Sequence, residues 1–156
     1  MAKSIFLPIQ TIQALNKAAD ILRNTNQGCY EIVLTRGYVS WGAWRYFYGV
    51  LGKAIFCPLY GDSKTDAKLL FSSNGHDDGL SVDVQLYDAT LQQTIKFLSW
   101  RNIFISRAKA EKLLESNRDL IDILDASMKA AGFIAHPDPR EKLQSHYRLE
   151  SNAKSL

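Results

Sequence analysis

Asn74-Gly-His-Asp-Asp-Gly79, followed by Leu80-Ser-Val-Asp-Val-Gln-Leu86, is the stretch that decides the fold. Leu80, Val82, Val84 and Leu86 alternate with Ser81, Asp83 and Gln85, and a period of two belongs to a strand with one buried face. The Asn-Gly and Asp-Gly pairs ahead of it supply the positive φ angles of a tight turn. Leu69–Ser73 is apolar and fits the other arm of a hairpin. An antiparallel sheet therefore lies in the middle of the chain.

Toward the N-terminus, Ile9, Ile12, Leu15, Ala19 and Leu22 recur at helical spacing, with Pro8 in the first turn and Asn24, Asn26 and Gly28 as the stop. Cys29-Tyr-Glu-Ile-Val-Leu-Thr-Arg36 is rich in β-formers and reads as a strand. Residues 44–50 and 54–60 read as a further hairpin turning at Leu51-Gly52-Lys53.

Toward the C-terminus the pattern turns helical. Asp88 is placed to cap a helix carrying Leu91, Ile95 and Leu98. Ser106 is placed to cap a longer one carrying Leu113, Leu114, Leu120, Ile121, Leu124 and Met128, divided at Ser116-Asn117 and stopped at Gly132. The expected fold class is α+β: an N-terminal helix, an antiparallel sheet of four to five strands, and two to three C-terminal helices on one face. Residues 1–135 form a single α+β domain on this reading, and 136–156 form a polar, partly disordered tail that includes His146.

Composition bounds the class. A chain of 156 residues with 46% hydrophobic and 22% charged residues is an ordinary globular domain. No run has the ~20 apolar residues of a membrane span, and Met1–Pro8 lacks a signal-peptide core, so a cytoplasmic location is expected. Cys29 and Cys57 sit in apolar stretches and read as buried thiols. The net charge of +3 is uneven: six bases face two acids over residues 1–60, and six acids face two bases over 61–90.

Chemistry-bearing motifs are sparse. There is no phosphate-binding glycine loop, nucleophile elbow or Cys-x-x-Cys pair. The most unusual stretch is Arg36–Lys53, where Tyr38, Trp41, Trp44, Tyr46 and Tyr48 interleave with Arg36, Arg45 and Lys53. Trp, Tyr and Arg dominate interface hot spots, and aromatic faces also stack nucleic-acid bases. These eight residues are the expected binding site. The expected function is a non-enzymatic macromolecular binding protein with a protein partner and no cofactor, metal or catalytic residue.

Two alternatives stand beside it. One is a single-stranded nucleic-acid-binding module built on the same aromatics. The other is a metal-dependent hydrolase or nuclease centred on His76, Asp78 and Asp83, with Asp77 beside them.

Overall fold

A computed structural model describes residues 5–37, 76, 78–98 and 105–150. Helix α1 (Ile9–Thr25) leads into strand β1 (Tyr30–Arg36). Strands β2 (Ser81–Asp88) and β3 (Gln93–Ile95) follow, then helices α2 (Arg107–Ser116) and α3 (Arg118–Ala130). Strand β4 (Phe133–Ala135), the short helix α4 (Pro139–Leu143) and strand β5 (His146–Leu149) complete the described fold. The protein is mixed α+β, with an antiparallel five-stranded sheet in the order β1-β2-β5-β4 and β3 also paired to β2.

The alternation read in residues 80–86 is present. Val82, Val84 and Leu86 are fully buried, and the intervening Asp83 and Gln85 lie on the opposite face. β2 meets β1 along one edge, while its other edge takes β5 at Ser81–Asp83 and β3 at Leu86–Asp88. The expected partner arm at 69–73 and the hairpin at 44–60 lie outside the described residues. The core gathers Val82, Val84 and Leu86 with Tyr147 and Phe133 of the sheet and Ala18, Leu22, Ile121, Leu124 and Met128 of the helices. Each Val, Leu, Ile, Phe or Met side chain so taken from water contributes about 1.5–3 kcal/mol.

The local signals at helix ends act as expected. Ser106 accepts the Lys109 N–H at 3.4 Å, and Asn117 separates α2 from α3 while its amide donates to the Leu113 carbonyl at 2.8 Å. Gly132 adopts φ +95° directly after α3. In α1 the buried ridge is Thr11, Ala18 and Leu22. Ile12, Leu15 and Ala19 instead line a hollow of about 250 Å³ with Ile5, Leu7, Ile32 and Leu34.

Three expectations are corrected. Asp88 does not start a helix. Its carboxylate accepts the Thr90 and Leu91 N–H groups at 2.9 and 2.8 Å, Gln92 takes φ +52°, and the chain reverses into β3. Leu91, which the helical stripe needed, is 64% exposed. Cys29 is a free, exposed thiol. Residues 139–149, assigned from sequence to a polar tail, form α4 and β5, and β5 pairs with both β2 and β4. Tyr147 and Leu143 pack this segment into the core. The Tyr147 ring is 2% exposed, and its hydroxyl donates to Asp125 of α3 at 2.5 Å. Among the described residues no helix is long and apolar enough to cross a membrane.

Candidate metal centre

Asp83 and His146 are direct cross-strand partners on β2 and β5. Their neighbours Val82 and Tyr147 are also paired and turn into the core, so the period of two sends Asp83 and His146 together to the other face. The chain ahead of β2 adds His76. Its backbone carbonyl accepts the Gly79 N–H at 3.4 Å, and Gly79 takes φ +73° to complete the turn. Helix α1 holds this turn from outside: Thr11 donates to the Gly79 carbonyl at 3.1 Å within a buried contact. The Asp-Gly pair thus serves the turn, and the turn serves to deliver His76.

The three side chains converge on one oxygen. His146 Nδ1 lies 2.7 Å from Asp83 Oδ1, and His76 Nε2 lies 3.2 Å from the same atom. The two imidazoles meet edge to face at 4.9 Å between centroids. His76 and His146 are 1% and 4% exposed. His76 Nδ1 faces the Gly37 carbonyl at 3.0 Å, and because a carbonyl only accepts, Nδ1 carries a proton. In the neutral ring Nε2 is then a bare lone pair. Among the described residues it is buried without a hydrogen-bond partner, although a carboxylate oxygen stands beside it. Two lone-pair atoms held this close in a dry site need a positive charge between them, which a second ring proton supplies as an ion pair and a metal ion supplies as a shared ligand.

The electrostatics agree. Burial alone would raise the Asp83 carboxyl, but where the imidazoles are protonated, hydrogen bonds from His146 and His76, and their charge, hold it down at about 2. The carboxylate is therefore ionised across the physiological range. His76, Asp83 and His146 form a metal-capable group whose ligand atoms all lie within 4.8 Å of one another. Zinc at 2.0–2.2 Å from tetrahedral ligands needs them roughly 3.3 Å apart; the His76–Asp83 separation of 3.2 Å fits, whereas His146 Nδ1 and Asp83 Oδ1 at 2.7 Å are hydrogen-bonded and would part by roughly half an ångström around an ion. Two imidazoles and one carboxylate are also a donor set that zinc takes in catalytic sites, with a fourth position open.

His136 flanks this group. Its backbone N–H donates to the His146 carbonyl at 3.1 Å, and the rings lie 5.9 Å apart. The Asp138 N–H donates to His136 Nδ1 at 3.1 Å, which leaves the His136 proton on Nε2. Burial first, then the neighbouring His146, lower the His136 pKa from its ordinary 6.5.

The sequence-predicted residues are distributed as follows. His76 and Asp83 are in the centre. Asp78 is not: its carboxylate accepts the Leu80 N–H at 2.9 Å and pairs with Arg148 of β5. That pair ties the His76 turn to the strand that carries His146. Arg36, at the end of β1, pairs with Asp83 at 3.7 Å. Tyr38, Trp41, Trp44, Arg45, Tyr46, Tyr48 and Lys53, as well as Asp77, lie outside the described residues. His146 was missed because β5 has only four residues, too few for alternation to show against a polar background.

No protein-family model matches the chain, and no curated protein matches it in sequence. Among solved structures, the chain is similar to a mutant of the vancomycin-resistance D,D-pentapeptidase VanY from a VanB-type resistance cassette, in complex with Zn(II). The TM-score is 0.50 at 15% identity, over 96% of this chain and 75% of that one. At that identity the likeness is one of fold. The expectation of a non-enzymatic macromolecular binding protein is overturned by the buried, metal-capable His76–Asp83–His146 group on a fold shared with a zinc peptidase.

Proposed function

We propose that this chain is a zinc-dependent hydrolase acting on peptide bonds, with His76, Asp83 and His146 as the metal ligands. The observation that carries this reading is the bare, buried Nε2 of His76 aimed at an ionised carboxylate that a second imidazole also faces. A buried polar atom without a partner costs about 1–3 kcal/mol, and such an atom persists where binding needs it. A divalent ion held there supplies Lewis acidity toward a carbonyl oxygen and toward water.

The chain's own residues do the rest. The Gly37 carbonyl fixes the His76 tautomer and ring orientation, as partners beyond the ligands do in metal sites. Asp83 and His146 are held by the antiparallel register of β2 and β5, so their spacing is set by backbone and not by flexible loops. One carboxylate against a divalent ion leaves the centre net positive, which suits the negative charge that develops on an amide oxygen during attack. The Nε2–H of His136 is a further donor at the edge of the centre.

The neighbour's description as a D,D-pentapeptidase sets the first substrate to assay: a pentapeptide ending in a D,D-linked pair, with its L,L counterpart as comparison. Calorimetry with Zn(II) comes first. The wild-type chain is expected to take up one ion, and His76→Ala, Asp83→Asn and His146→Ala to take up none. Zinc binding that survives all three substitutions would sink the proposal.

A further inference from the structure

Arg36 ends β1 two residues after Leu34, and on a regular strand both would face the core. The register shifts between them: Leu34 is opposite Val84, yet Arg36 is opposite Asp83. Thr35 is the extra residue of a bulge, and its hydroxyl donates to the Asp83 carbonyl at 3.0 Å. The bulge turns Arg36 away from the core and onto the face that carries Asp83 and His146. Arg36, Asp83 and His146 then form one row across β1, β2 and β5.

Within that row the two oxygens of Asp83 have different partners. Oδ1 faces both imidazoles, whereas Oδ2 faces Arg36 Nη1 at 3.7 Å. We infer that Arg36 is a positioning residue that engages Oδ2 and limits Asp83 to one-oxygen coordination through Oδ1, keeping a coordination position open for substrate. This rests on the zinc reading above. With Oδ2 released, the carboxylate is free to coordinate through both oxygens, and the open position closes.

Co(II) in place of zinc makes the coordination number visible, because four-coordinate Co(II) absorbs strongly in the visible region and higher coordination absorbs weakly. The full chain is loaded with Co(II), and folding is checked by circular dichroism. The expected result is intense bands in the wild type, loss of intensity with a blue shift in Arg36→Ala, and retained bands in Arg36→Lys, which keeps a cation in reach of Oδ2. Bands in Arg36→Ala that superimpose on the wild type overturn this inference and leave the metal site standing. A folded wild-type chain that takes up no Co(II) or Zn(II) overturns the metal reading and this inference with it.

Discussion

Replacing Asp83 by Asn tests the electrostatics of the centre without any metal. The wild-type carboxyl is held at about 2 against an ordinary 3.8, and Asp83 is 15% exposed, so solvent screens it little. A group whose folded value lies below its unfolded value stabilises the fold above the unfolded value. That contribution is lost as the pH falls through the folded value. The gap corresponds to roughly 2 kcal/mol, at 1.36 kcal/mol per pKa unit.

Urea unfolding of the chelator-treated protein, at steps from about pH 4 to about pH 2, reads this directly. Across that window acid is expected to remove about 2 kcal/mol more from the wild type than from Asp83→Asn. Parallel stability curves for the two proteins would show that Asp83 is not held by the two histidines and would refute the geometry argued for the site.

Other outcomes follow from neighbouring contacts. Gly79→Ala places a Cβ 2.6 Å from the Pro8 ring at φ +73°, so a loss of at least about 1–2 kcal/mol is expected from thermal melts. Asp78→Ala breaks the tie to Arg148 without removing a ligand, and zinc affinity measured by calorimetry should weaken roughly 10–100-fold but not vanish. Tyr147→Phe leaves the Asp125 carboxylate short of a donor, and urea unfolding should show about 1–3 kcal/mol less stability. Cys29 should react with a thiol reagent in the native state at the rate of an exposed cysteine.

The sequence by itself determined the elements whose signals are local. Val82, Val84 and Leu86 announce their strand because a period of two is visible in seven residues. Ser106, Asn117 and Gly132 announce helix ends because capping is settled between near neighbours in the chain. Asp88 shows the limit of such signals: the same carboxylate that caps a helix also caps a turn, and propensity alone does not separate the two.

Two of the three metal-capable residues were legible. His76 and Asp83 stand seven residues apart around one turn, and the polar face of β2 can be read from alternation. His146 was not legible, because its burial depends on β2, sixty-three residues away, and on Tyr147 docking against α3. The bulge at Thr35, which turns Arg36 toward Asp83, exists only in the pairing of β1 with β2. A metal site is a matter of atoms meeting within a few ångströms. Strand register, a property of the folded sheet, brings Asp83 and His146 together, and the turn at Gly79 adds His76.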